Sequence, residues 1–136
     1  QISSRFMVKA AYARTNAQFR SGPYAGNTLP LVPLHQSGVR LIWSAGQAGP
    51  HTAAFRHIGS RRFDSDFDNT HEHLPAVTTL DLQSVWDAKP WKVTARLINA
   101  LDRKYAASGG YAPAYGDHYY YPADGRSFFV SVRHDL

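Results

Sequence analysis

Three groups of residues in this 136-residue chain have the types and spacing to do chemistry. Asp64-Ser65-Asp66-Phe67-Asp68-Asn69 sets three carboxylates at alternate positions, the oxygen-rich pattern that a hard cation such as calcium requires. The match to a calcium-binding loop is partial: Asn69 occupies the place of the turn glycine and Pro75 that of the bidentate glutamate. His71-Glu72-His73 follows. On a strand an H-x-H pair directs both imidazoles to one side, where they can chelate a transition metal or touch an incoming ligand. The third group is aromatic: Tyr105, Tyr111, Tyr115, Tyr119, Tyr120 and Tyr121 lie in one loop-like stretch, with Gly109-Gly110 read as its hinge. Tyrosine brings contact area and a hydroxyl at low entropic cost, the properties of a recognition surface. Tyr119, Tyr120 and Tyr121 fit an aromatic girdle equally well. The expected ligand contacts are Tyr111, Tyr115, Tyr119, Tyr120, His71 and His73; the expected metal donors are Asp64, Asp66 and Asp68, with calcium as the ion. No other cofactor is called for. G-x-S-x-G, H-E-x-x-H and phosphate-loop patterns are absent, so no enzyme is expected.

Strands must position these groups. In Trp91–Ala100 the odd positions Trp91, Val93, Ala95 and Leu97 are apolar, while Lys92, Thr94 and Arg96 take the other face. In Ser127–Leu136, Phe128, Val130, Val132 and Leu136 oppose Ser127, Ser131, Arg133 and Asp135. Strict period two over such lengths signals strand. The same alternation predicts strands at 5–15, 35–45, 52–62 and 76–86. Val39, Leu41 and Trp43 then share a face, as do Ala53 and Phe55, and Leu80, Leu82 and Trp86. Gly22, Pro23, Gly26, Asn27, Pro30 and Pro33 mark a loop over 17–34; the stretches 63–74 and 105–124 also read as loops, and 44–50 and 87–90 as tight turns. Long and short connections therefore alternate, the arrangement of an outer-membrane barrel with long loops outside and short turns in the periplasm. About ten residues per strand also suits a tilted crossing of a bilayer.

Composition narrows the class. No run approaches the roughly 18 apolar residues of a membrane helix, whereas a membrane barrel gives only a weak hydropathy signal. With no cysteine there is neither a disulfide framework nor a thiolate metal site, which suits passage through an oxidising compartment. The net charge is +5, but Lys and Arg are spread along the strands and the longest basic run is Arg61-Arg62, so no nucleic-acid partner is expected. Gln1-Ile2-Ser3-Ser4-Arg5 does not read as a secretion signal, and the alternating pattern begins almost at once, so the chain is expected to be a piece of a longer one.

Ile98-Asn99-Ala100-Leu101-Asp102-Arg103-Lys104-Tyr105, then Tyr121-Pro122-Ala123-Asp124-Gly125-Arg126 and a closing alternating strand, resembles the C-terminus of TonB-dependent outer-membrane receptors. Ala100-Leu101 stands where that family carries Leu-Phe, and Leu136 stands where it ends in an aromatic. The resemblance implies an all-β antiparallel meander of about six long strands over residues 1–136, the C-terminal part of a transmembrane β-barrel lacking its plug. It implies residence in the bacterial outer membrane and a role in uptake of a metal chelate, a ferric siderophore first and cobalamin second. Outer-membrane lipid, the extracellular chelate and the TonB energy-coupling protein, reached through the absent N-terminal part, are the implied partners. Six strands leave two open edges, so self-association is expected. The competing expectation is a soluble all-β module whose tyrosine loop grips carbohydrate or peptide.

Overall fold

The computed structural model describes residues 5–45 and 48–135, with side chains left aside at Ala45 and Ala48. The chain forms β1 (Phe6–Arg14), β2 (His35–Ala45), β3 (Ala48–Ile58), β4 (Arg61–Arg62), β5 (His73–Leu74), β6 (Val77–Ala88), β7 (Trp91–Ile98), β8 (Ala106–Ala112), β9 (Asp117–Pro122) and β10 (Ser127–His134). Six of these make one antiparallel sheet in the order β1-β2-β3-β6-β7-β10; β4-β5 and β8-β9 are separate two-stranded sheets. The large sheet is thus a meander in chain order, with the small ribbons inserted in two of its long connections.

The register carries the sequence alternation across the whole sheet. Val39 lies between Ala10 and Phe55, and Leu82 between Ala53 and Leu97, which in turn faces Phe128. Val8, Leu41, Trp43, Leu80, Trp86, Val93, Ala95, Val130 and Val132 share that face. The opposite face holds Lys9, Arg40, Arg56, Asp81, Gln83, Lys92, Arg96 and Arg133, and there the Arg96 Nε donates to the Gln83 amide oxygen at 3.0 Å.

No second layer among the described residues covers the apolar face. Among the described residues Trp91, Phe128, Val130 and Val132 are 52–67% exposed, and the buried apolar side chains are Phe63, Leu74, Val77 and Val85. A soluble sandwich needs a facing sheet about 10 Å away to dry those residues. These strands have none among the described residues.

Several boundaries differ from expectation for identifiable reasons. The expected turn at 44–50 is shorter: β3 begins at Ala48, with register shifts at Ser44/Ala45 and Ala48/His51 that accommodate Pro50. Gly46 and Gln47 lie outside the described residues, as does Leu136 at the expected end of the last strand. The expected strand 52–62 leaves the sheet after Ile58. There the Gly59 amide donates to the His35 carbonyl at 2.9 Å, and a Cβ on Gly59 would sit 2.8 Å from that oxygen. Arg61-Arg62 then pairs with Leu74 and His73 instead.

The stretch 105–124 is a hairpin, not an irregular loop. Gly109 and Gly110 pair with Tyr120 and Tyr119 inside it, so they are not a hinge. A Cβ on Gly109 would meet the Tyr119 carbonyl at 2.6 Å and the Phe63 ring at 3.1 Å, and one on Gly110 would collide with the Tyr119 ring. Both glycines are there for close approach.

Candidate functional site

The long connections gather at one end of the sheet and pack on one another. The 17–34 segment meets the 63–72 segment through Phe19, Tyr24 and Phe67, whose ring centroids lie 5.6–6.0 Å apart. Asn69 reinforces this contact: its side-chain oxygen accepts the Thr28 amide at 2.8 Å and its Nδ2 donates to the Thr28 carbonyl at 3.0 Å. Asn69 has φ 61°, so it makes the left-handed turn that a calcium loop assigns to glycine.

The β8-β9 hairpin packs on the β4-β5 ribbon. Tyr111 and His118, cross-strand partners, face Phe63 and His71. His71 stacks on Tyr111 with centroids 4.0 Å apart, and Phe63 lies 4.4 Å from His118 and 5.6 Å from Tyr120. The Asp64 amide donates to the Gly109 carbonyl at 2.7 Å. Arg61, only 8% exposed, donates through Nη2 to the carbonyls of Ala106 at 3.2 Å and Ala107 at 2.7 Å. Burial lowers the Arg61 pKa, and the neighbouring Tyr105 offsets part of that.

The expected metal donors do not converge as the spacing suggests. Ser65 adopts φ 68°, which breaks the extended alternation between Asp64 and Asp66. Asp64 is exposed. Asp66 is fully buried and its carboxylate is already engaged: Oδ1 accepts the Thr70 amide at 2.9 Å and the His71 amide at 3.2 Å, and Oδ2 pairs with Arg62 at 3.1 Å. Burial pushes the Asp66 carboxyl up, but the His71 amide, Arg62 and the Thr70 amide together hold it below the ordinary carboxylate range. Among the described residues the group of three donors within 4.8 Å is Asp66, Asp68 and His71.

The two histidines part company. His71 is stacked on Tyr111, whereas His73 lines a separate cleft of about 280 Å³ with His35, Asn16 and Arg62. Tyr111 and Tyr120 face the loop packing, while Tyr119 and Tyr121 form an edge-to-face pair on the other side of the hairpin. Tyr115, at the turn, is 86% exposed. Within the hairpin Tyr115, Tyr121 and Tyr120 are therefore the tyrosines most open to a ligand, Tyr119 is less so at 39%, and Tyr111 works mainly as packing.

The motif that ends β7 is a structural knot. Asn99 (φ 50°) accepts the Arg103 amide at 3.0 Å and donates to the Arg103 carbonyl at 3.0 Å. Asp102 (φ 49°) accepts the Arg126 amide and the Lys104 ammonium, each at 3.1 Å, and those contacts hold its carboxyl below the usual range. Asn99 and Asp102 thereby tie the ends of β7 and β10 together. Arg61, Phe63 and His118 were not picked out from sequence; their only signal is tertiary, the partners they meet in β8-β9.

No family model matches the sequence, and no curated protein matches it. Solved structures do. The ferric yersiniabactin uptake receptor FyuA from Yersinia pestis superimposes with a TM-score of 0.80 at 20% identity, over 100% of this chain and 22% of that one. The ferric-catecholate import receptor Fiu from Escherichia coli K12 gives 0.74 at 20% identity, over 96% of this chain and 19% of that one. The siderophore receptor PiuA from Acinetobacter baumannii gives 0.72 at 20% identity, over 97% and 20%. This chain spans about a fifth of the length of the receptors it matches. Its open six-stranded meander, with a bare apolar face, a charged face and ribbons packed at one end, has the fold of the C-terminal barrel segment of TonB-dependent outer-membrane receptors.

Proposed function

We propose that the chain is a section of barrel wall in an outer-membrane receptor that takes up a metal chelate, a ferric siderophore in the first place and cobalamin in the second. The observation that carries this is the uncovered apolar face spanning all six strands, set against a face rich in Lys and Arg. Lipid supplies the apolar side with a partner, and a wet lumen suits the other. Basic residues on the lumen wall, Lys9, Arg40 and Arg56 among them, line a groove of about 430 Å³ and favour passage of an anionic chelate. The packed ribbons then lie at the extracellular mouth, with Tyr115 and Tyr119 at the surface an arriving ligand would meet. Energy would come from the TonB coupling protein through the plug of a whole receptor.

The test is uptake. A receptor containing these residues, expressed in an outer membrane that lacks its own siderophore receptors, should accumulate iron from a ferric chelate and lose that accumulation without TonB. Accumulation of cobalamin alone would select the second substrate; accumulation of neither would overturn the reading. Calcium in the 64–69 loop stays a proposal with a reduced donor set of Asp66 and Asp68, tested by whether calcium raises the unfolding temperature and Asp68→Asn removes the rise.

A further inference from the structure

The sheet has a seam at the end that carries the ribbons. Strand β6 starts at Val77, but its ladder with β7 covers only Leu82–Ala88. Beyond it, the Ala100 amide donates to the Leu80 carbonyl at 2.7 Å and the Asn99 amide to the Asp81 carboxylate at 2.8 Å. The positive φ angles of Asn99 and Asp102 then turn the chain away from the start of β6.

The space left is a cleft of about 490 Å³. Leu74, Pro75 and Val77 form its apolar side, and Arg103, Lys104 and Tyr105 face them. No carboxylate lines it. Thr78, on the same face as Leu80 and Leu82, also lines it, so the cleft adjoins the end of the bare apolar surface.

Two features suit this cleft to an anion with an apolar body. The Arg103 side chain has no hydrogen-bond or ion-pair partner among the described residues, although its backbone is fixed at both N–H and C=O by Asn99. Lys104, 77% exposed at its side chain, has Asp102 as its one ion-pair partner and keeps donors to spare. An exposed guanidinium without an anion, lining the same cleft as an ammonium and an apolar wall, offers the charge and the fork that a phosphate takes.

We propose that the cleft lined by Arg103 and Lys104 holds the phosphate of a membrane-lipid headgroup whose acyl chain lies along the apolar face. The inference rests on the reading that this face contacts lipid. Arg103 supplies the fork for two phosphate oxygens, Lys104 a second positive charge, and Leu80, Leu82 and Leu97 the surface for the chain.

The test uses a receptor containing these residues, purified in a non-ionic detergent and titrated with dihexanoyl phosphatidic acid, dihexanoyl phosphatidylcholine and inorganic phosphate, with binding read by phosphorus NMR. Arg103→Gln combined with Lys104→Gln should weaken phosphatidic acid by about tenfold or more, the scale of one lost charge-assisted contact. Arg133→Gln, on the opposite face, should leave binding unchanged. Equal binding by the double variant would overturn the proposal, and so would inorganic phosphate binding as tightly as the lipid, which would mark a free-anion site. Quenching of Trp43, Trp86 and Trp91 fluorescence by a brominated detergent separates the two levels. Absent quenching sinks the lipid-face reading itself; quenching without a headgroup effect sinks only the cleft.

Discussion

His71 and Tyr111 lie ring on ring, with centroids 4.0 Å apart and planes 29° apart, and so join the connection between β3 and β6 to that between β7 and β10. Neither ribbon is large enough to be stable alone. A double-mutant cycle with His71→Ala and Tyr111→Ala should show a coupling of about 0.5–1.5 kcal/mol in denaturant unfolding, the range for such ring pairs. Additive losses would mean that the ribbons fold independently.

Asp66 holds the 63–72 segment in shape. Asp66→Asn keeps the size but weakens the bonds to Arg62 and to the Thr70 and His71 amides, and should cost about 1.5–3 kcal/mol, the range for hydrogen bonds to a charged group. The pH dependence has a definite sign. Because the folded carboxyl titrates below its unfolded value of about 3.9, its contribution is complete above that pH and is lost as pH falls through the lowered folded value. Protection of the Thr70 and His71 amides against hydrogen exchange, taken relative to their intrinsic rates at each pH, should fall on acidification in the native chain and be low already at neutral pH in the variant.

Gly109 tolerates no side chain. Gly109→Ala places a methyl 2.6 Å from a backbone carbonyl that cannot step aside, so β8-β9 must shift. The expected cost is about 1–3 kcal/mol, as for other overpacked sites. Circular dichroism should show the large sheet intact while protease cuts the hairpin. Unaltered protease resistance would contradict the packing of Phe63 against this strand.

Among the described residues the outer edges of β1 and β10 carry no neighbour in the sheet. Unpaired edges recruit other strands, so the chain by itself in detergent should sediment as dimers or larger species. A monodisperse monomer with rapidly exchanging amides along both edges would contradict that expectation.

The large sheet was legible in the sequence because period two is a local property. Val39, Leu41 and Trp43, or Val93, Ala95 and Leu97, declare their common face without help from the rest of the chain. The β8-β9 hairpin was not legible. Gly109-Gly110 read as a hinge in a loop, and only the approach of Tyr119 and Phe63 to the bare backbone makes a strand there. The arrangement of the carboxylates at 64, 66 and 68 was not legible for a similar reason: their spacing assumes extended backbone, and Ser65 at φ 68° breaks it. The Asn99–Arg126 stretch was recognised as a pattern, but its job, tying two strand ends, shows only in the hydrogen bonds.

The central claim is that one face of this sheet meets lipid and the other meets water, and neighbouring residues in β10 test it most directly. Val130 pairs with Ala95 on the apolar face, and Ser131 pairs with Thr94 on the other. Single cysteines at these positions in the membrane-embedded receptor should differ sharply toward a membrane-impermeant thiol reagent. The account predicts rapid labelling at 131 and protection at 130, with the order unchanged in several strands tested the same way. Equal labelling at 130 and 131 would contradict it.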